Sequence, residues 1–389
     1  MYPNGVFVIE SNIMKIEAGD ILSENQESIR APIAKDAYLA GLYDGEPYVS
    51  GEQPGLGVVK LNTNENPYPP APAVLRALAD FDGRALRLYP KQDGGALREA
   101  LAAWHGVAVK NIFVAKGSDE VLALAFRACF GFGRGNPVLF PDITYSFYPV
   151  WCELFGIPYK TKPVGADFRP AARDYAGPNG GIVLCDPNAP TSIAEGEGFL
   201  NSILEINGSK SVVIVDEAYA DFAGFSAIPL TVEVPNLLVV RSFSKARSLA
   251  GLRIGYAVGD ARLIEALMVV KDSFNSYPVD ALAEALGVAA IADNEYYTAV
   301  IGKLRETREW TAERLRKLGF DVPAPAANFV FAGCGSAARA QAIFAFLRMA
   351  GVYVRYFNKP RIDDRLRISI GKPEDMDAFF ERLEEYLAL

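Results

Sequence analysis

Histidine is almost absent from this chain of 389 residues, in which His105 is the only one. A Ser-His-Asp triad would have to use it, and a metal site with two histidine ligands cannot be built. It closes the stretch Leu101-Ala102-Ala103-Trp104-His105-Gly106, where a helix is expected to end, so a capping or helix-dipole role is the simpler reading. Proton transfer must fall to another side chain. Cysteine is scarce too: Cys129, Cys152, Cys185 and Cys334 are far apart and mostly set in apolar runs, which fits reduced core thiols rather than a disulfide framework or a zinc site. No apolar run approaches the roughly 18 residues that span a bilayer. The first basic residue is Lys15, so no basic n-region of a secretion signal is present. Lys and Arg do not cluster, and a net charge of −8 opposes nucleic acid or anionic membrane as partner. The expectation is a cytoplasmic protein that acts on small molecules, with no metal.

With 50% hydrophobic residues, the chain exceeds what one core usually supports, so a large domain with a smaller one is expected. From about residue 70 to 280, helical stretches (72–81, 95–104, 119–130) alternate with short apolar strands (137–140, 181–185, 211–215, 237–240, 254–258) bounded by Gly, Pro, Asn or Asp. That alternation predicts an α/β fold with a mostly parallel sheet covered by helices. Beyond Tyr277-Pro278 come long amphipathic helices, 294–318 and 374–387. The domains expected are a large one over 60–280 and a smaller α+β one from 30–59 and 281–389. Residues 1–29, with a possible short strand at 5–9, form an extension of unassigned role.

The motifs lie where those strands end, which is where open α/β sheets bind ligands. Ser242-Phe243-Ser244-Lys245, followed by Arg253, offers an amine that can condense with an aldehyde beside two hydroxyls and a guanidinium suited to a phosphate. Asp216 ends the run Val212-Val213-Ile214-Val215 and can hold a ring nitrogen protonated, although a helix cap explains it equally well. Pro187-Asn188-Ala189-Pro190 presents the Asn188 amide between two prolines, as a donor to a phenolate oxygen or as a plain rigid turn. Lys116-Gly117-Ser118-Asp119-Glu120 opens an apolar helical run, a start that can cradle phosphate or simply cap the helix. Tyr145 supplies a ring to stack on a flat cofactor. Aldehyde, ring nitrogen, phenolate and phosphate together describe pyridoxal phosphate.

In order and spacing, with 29 positions from Asp216 to Lys245 and eight more to Arg253, these motifs resemble the fold type I, class I and II aminotransferases. Pro47-Tyr48-Val49-Ser50-Gly51-Glu52-Gln53-Pro54, Lys60-Leu61-Asn62-Thr63-Asn64-Glu65-Asn66-Pro67-Tyr68, Leu88-Tyr89-Pro90, Ala327-Asn328-Phe329-Val330 and Leu366-Arg367-Ile368-Ser369-Ile370-Gly371 are similar to the signatures of the histidinol-phosphate aminotransferases. The resemblance spans 30–389. It implies that Lys245 carries the cofactor, Asp216 pairs with the ring nitrogen, Asn188 and Tyr219 contact the ring oxygen, and Tyr145 stacks on the ring. It further implies that Ser118, Asp119, Ser242, Ser244 and Arg253 hold the phosphate with Tyr89 of the partner subunit. Arg367 would bind the substrate anion, aided by Arg355 and by Tyr48 of the partner subunit, in a homodimer with shared sites. Asp186, Ala189, Ser192 and Lys116 depart from the common pattern.

The resemblance thus implies a transferase that moves an amino group from histidinol phosphate to 2-oxoglutarate in histidine biosynthesis. Lys245 serves as the proton-moving base once displaced by the incoming amine, its acidity raised by burial beside Arg253. Three other readings share the cofactor: an aromatic amino-acid aminotransferase, a threonine-phosphate decarboxylase, and a non-catalytic cofactor-binding protein. The last would need an appended DNA-binding module and a basic surface, which this sequence lacks.

Overall fold

Sequence pattern and chain punctuation account for most of the elements in the computed structural model, which describes residues 42–55, 57–132 and 135–389. The expected extension at 1–29, its strand at 5–9, and residues 30–41 of the smaller domain lie outside the described residues. Strand β1 (Val59–Lys60) precedes helix α1 (Pro72–Ala79), whose first-turn proline gives up an N–H that would have no helical partner. Helix α2 (Gly95–His105) stops at Gly106, left-handed at φ +67°. There follow β2 (Ile112–Ala115), α3 (Ser118–Phe130), β3 (Val138–Pro141), α4 (Phe147–Phe155) and β4 (Tyr159–Lys162). Then come β5 (Gly181–Cys185), α5 (Gly196–Asn207), β6 (Val213–Asp216), β7 (Leu237–Ser242) and β8 (Gly255–Gly259). Helices α6 (Ala261–Asp272), α7 (Ala281–Ala292) and α8 (Asn294–Lys317) lead to β9 (Phe329–Gly333), α9 (Ala337–Met349), β10 (Val352–Tyr353), β11 (Arg355–Tyr356), β12 (Arg365–Ser369) and α10 (Pro373–Leu387).

Among the described residues, seven strands form one sheet in the order β2-β8-β7-β6-β5-β3-β4. Only β8 runs against the rest, pairing antiparallel with β2 and β7. Alternate residues of the central strands enter two separate cores. Phe113, Phe140, Val183, Ile214, Leu238 and Ala257 pack into one, while Val114, Leu139, Ile182, Val213, Leu237 and Val258 pack into the other. A strand buried on both faces has no polar alternation, which is why these runs read as continuously apolar. Each Val, Leu, Ile or Phe among them contributes about 1.5–3 kcal/mol on burial. Beside this sheet stand β11-β12-β9, antiparallel, and the parallel pair β1-β10.

Most expected elements appear within two residues of their sequence positions, and β5 coincides with 181–185. The expectation omitted strands β2 and β4 of this sheet and helices α4, α5 and α6. Strand β4 reads Tyr-Lys-Thr-Lys and is largely exposed at the sheet edge, where lysines discourage further pairing and no apolar signal is needed. His105 also departs from expectation: burial lowers its pKa to about 4, so it carries no charge to meet the helix dipole. Its Nε2 instead lies 2.9 Å from the Tyr256 hydroxyl. The four cysteines are free, and three are buried.

Candidate active site

Parallel pairing sets the carboxyl ends of β5, β6 and β7 side by side, with Cys185 opposite Asp216 and Asp216 opposite Val240. Residues just past those ends line a cavity of about 650 Å³ that holds Lys245, Asp216, Tyr219, Ser118, Asp119, Tyr145, Ser242, Ser244, Arg253, Arg355, Arg367 and Tyr48. Lys245 donates from Nζ to the Thr63 carbonyl at 3.0 Å. Burial, then the Arg367 charge, lower its pKa to about 8, while Arg253 contributes least among the causes. The neighbour that matters most electrostatically is therefore Arg367, not the Arg253 expected from the sequence.

At the other end, Asp216 is 3% exposed. Its Oδ2 accepts from the Tyr148 hydroxyl at 3.0 Å and its Oδ1 from the Ala218 N–H at 3.1 Å. Burial nevertheless raises its pKa to about 7. Tyr148, fully buried on α4, was not singled out from sequence, because an aromatic residue in an apolar helix reads as core. Tyr219 receives a 3.0 Å hydrogen bond from the Asn64 amide.

The third wall is a cradle. Gly117, at φ +86°, lets the chain pass so close to Arg253 that a Cβ would lie 2.7 Å from its Nη2. A Cβ on Gly255 would meet the Gly117 and Ser118 backbone at 2.3 Å. Only glycine permits this approach. Helix α3 therefore presents its first N–H groups beside Ser242, Ser244 and Arg253, whose Nη1 donates to Ser244 Oγ at 3.1 Å. The Asp119 carboxylate accepts from Arg253 at 2.8 Å and from the Tyr145 hydroxyl at 2.8 Å. It neutralises the guanidinium, so Asp119 can aid a phosphate through its backbone N–H but not through its side chain.

Asn188 and Tyr48 meet surroundings that the sequence did not foresee. The Asn188 amide donates to the Ile143 carbonyl and to Thr191 Oγ1, each at 3.0 Å, and accepts from Thr144 at 2.8 Å. Its polar atoms are engaged by these neighbours, and Ala189 and Pro190 line the cavity. Tyr48 was expected from a partner subunit, yet this chain's own Tyr48 lines the cavity and stacks on Phe147 at 4.1 Å. Arg355 holds that segment by donating to the Val49 and Ser50 carbonyls at 3.0 and 3.1 Å, and Arg348 pairs with Glu52. Tyr89 is 82% exposed and stacks on Tyr277 outside its own chain's cavity.

The four departures have structural work. Asp186 accepts from the Glu195 and Gly196 N–H groups at the start of α5. Ala189 lines the cavity, Lys116 pairs with Asp280, and Ser192, at φ +64°, bridges Phe329 and Ala327. Behind the strand ends, Arg241 pairs with Glu217 at 2.9 Å and Asp221 at 2.8 Å, tying the tip of β7 to the residue after β6.

The donors fit pyridoxal phosphate. A lysine of lowered pKa, a buried carboxylate, a phenol, and a cradle of helix N–H groups, hydroxyls and a guanidinium face one cavity. Arg367 adds a half-buried guanidinium whose Nε, itself shielded from solvent, has no partner among the described residues and whose Nη2 donates to the Asn62 carbonyl at 2.7 Å. It is equipped for an anion in the same cavity.

Comparison with known proteins agrees. The family profile for aminotransferase class I and II matches residues 57–383. The histidinol-phosphate aminotransferase of Chromohalobacter salexigens is 49% identical over 87% of this chain and 95% of its own length. That of Lactococcus lactis subsp. lactis is 45% identical over 88% and 94%. The crystal structure of histidinol-phosphate aminotransferase from Sinorhizobium meliloti in complex with pyridoxal-5'-phosphate superposes with a TM-score of 0.77 at 24% identity, over 92% of this chain and 99% of that one.

Proposed function

The chain belongs to the class I and II aminotransferases, and from that premise we infer that it exchanges an amino group between histidinol phosphate and 2-oxoglutarate, yielding imidazole acetol phosphate and glutamate in histidine biosynthesis. Pyridoxal phosphate is its cofactor. The observation that carries the substrate reading is Arg367, half-buried in the cavity that holds Lys245, with an Nε that has no partner among the described residues. Together with Arg355 it accepts a phosphate from one substrate and a carboxylate from the other, since a guanidinium fork matches both anions.

The residue roles are proposals of the same kind. Lys245 anchors the cofactor, Asp216 its ring nitrogen and Tyr219 its ring oxygen. Ser118, Ser242, Ser244, Arg253 and the α3 N–H groups hold its phosphate. Bound there, the cofactor supplies an electron sink for the carbanion left when the amine-bearing carbon loses its proton. Lys245, with a pKa of about 8, is sufficiently neutral near pH 8 to take that proton and return it. Tyr145 covers the site as a stacking ring, and Tyr48 closes it beside Phe147, where its apolar face keeps water from the reacting carbon. Asn188 acts by shaping the loop that presents Ala189.

We further propose a cytoplasmic homodimer in which Tyr89 reaches the partner's cofactor phosphate. Leu86, Leu88, Tyr89, Phe274 and Tyr277, all exposed apolar side chains, support that reading. Residues 60–280 would form the cofactor-binding domain, and 30–59 with 281–389 the smaller one. Among the described residues no helix is long and apolar enough to cross a membrane.

The cavity lining of Tyr48, Ile143, Phe357 and Ile362 would receive a benzene ring as readily as an imidazole, so the test compares both. Cofactor-loaded protein is mixed with histidinol phosphate, phenylalanine or phosphothreonine, and the visible absorbance of the lysine-bound cofactor is followed. Rapid loss with histidinol phosphate is expected. Rapid loss with phenylalanine alone would assign the aromatic activity, and carbon dioxide from phosphothreonine the decarboxylase.

A further inference from the structure

Sequence reasoning assigned no role to Asn64, yet it is 1% exposed, left-handed at φ +56°, and bonded through every polar group it has. Its N–H donates to Ser369 Oγ at 2.8 Å, and its carbonyl accepts from the Asn328 amide at 2.9 Å. The Ser369 hydroxyl lies 2.9 Å from Asn64 Oδ1, and Asn64 Nδ2 lies 3.0 Å from the Tyr219 hydroxyl.

The direction of these bonds is fixed by counting protons. A backbone N–H can only donate, so Ser369 Oγ accepts from it, and the Ser369 hydrogen, with no other acceptor among the described residues, goes to Asn64 Oδ1. The amide oxygen is thus turned toward Ser369, and the NH₂ toward Tyr219. Tyr219 must accept there, and its O–H proton is left for the cavity that it lines. The same segment carries the neighbouring contacts: the Thr63 carbonyl takes Lys245 at 3.0 Å and the Asn62 carbonyl takes Arg367 at 2.7 Å.

We propose that Asn64, oriented by Ser369, is a positioning residue that holds the Tyr219 hydroxyl with its proton directed at the cofactor's ring oxygen. This rests on the assignment of Tyr219 to that oxygen. A donor to the phenol also favours its anion, in the same sense as the charge of nearby Arg367 and against burial and the Asp216 and Cys185 side that faces it. Arg367 and the Asn64 amide therefore act together on one hydroxyl.

The test is a double-mutant cycle read as the equilibrium dissociation constant of pyridoxal phosphate from the protein, without turnover. Asn64→Asp suits the left-handed backbone but replaces the donor by an acceptor that captures the Tyr219 proton. Affinity should fall about tenfold or more, the cost of one lost hydrogen bond to a charged oxygen. In a Tyr219→Phe background the same substitution should change affinity little, because no proton remains to redirect. Ser369→Ala, which frees the amide to turn, should weaken binding less than Asn64→Asp and likewise lose its effect in Tyr219→Phe. Thermal melting of each variant identifies any that does not fold, and the serine pair then carries the cycle. Equal losses in both backgrounds, or wild-type affinity in Asn64→Asp, would overturn the proposal while leaving Tyr219 in place. Wild-type affinity in Tyr219→Phe alone would remove both the proposal and the assignment beneath it.

Discussion

Replacing Tyr148 by Phe removes one oxygen from a fully buried ring and leaves the packing intact, so it deletes the hydrogen bond to Asp216 together with the contact to the Cys185 thiol. Asp216 is already raised by burial to about 7, with the Tyr148 hydroxyl acting against that rise. The other groups acting on it are the Ala218 N–H and the carboxylates of Asp119 and Glu217. A hydrogen bond to a charged group contributes about 1.5–3 kcal/mol, so its loss should move the Asp216 titration upward by about 1–2 pH units. Only the ionised carboxylate pairs with a protonated ring nitrogen. At pH 7 the variant should therefore bind pyridoxal phosphate about tenfold more weakly than the wild type, the two converging near pH 10 as both carboxylates ionise. The assay is quenching of protein fluorescence by added cofactor across pH 6–10. The folded value of Asp216 lies above its unfolded one, so it stabilises the cofactor-free protein at low pH, and that contribution is lost as pH rises through about 7. Melting temperatures against an Asp216→Asn control should show this loss displaced to higher pH in Tyr148→Phe. Identical affinity curves for wild type and variant would refute the reasoning.

Lys245→Ala should retain cofactor binding through the phosphate cradle yet show no turnover, measured by glutamate formation. Gly117→Ala places a Cβ 2.7 Å from Arg253 at φ +86° and ψ 163°; it should cost about 1–3 kcal/mol of stability, seen by urea unfolding, and weaken cofactor binding by displacing the guanidinium. Glu217→Gln leaves Arg241 with a weaker partner in a buried site, and the expected loss is up to about 3–5 kcal/mol, measured in the same way. Proton transfer by Lys245 should become faster as pH rises through about 8, read from single-turnover rates.

Strand ends were legible in the sequence because a buried strand is an unbroken apolar run and the first polar residue after it marks the tip. Asp216 was found in this way, and Lys245 was read with Ser242 and Ser244 as one motif just past the end of such a run. The same letters cannot tell which residue of a turn faces inward. Asn188 was read as the donor, and its amide here meets Thr144, Thr191 and Ile143 while Ala189 lines the cavity. Tyr148 and Asn64 escaped for a related reason: one lies in an apolar helix and the other in a strand-free segment, and each acts through a partner distant in sequence. Tyr48 was assigned across a subunit boundary; in the single chain, Arg355 holds the carbonyls of Val49 and Ser50, and Tyr48 lines that chain's own cavity.

The central claim is that this cavity prefers an amine bearing a phosphate and an imidazole. It is tested most directly by supplying histidinol phosphate and phenylalanine together, at equal concentration, with 2-oxoglutarate, and identifying the oxo product formed alongside glutamate. The ratio of products reads the ratio of kcat/KM values. Imidazole acetol phosphate in large excess is the predicted result, and phenylpyruvate as the main product would contradict it.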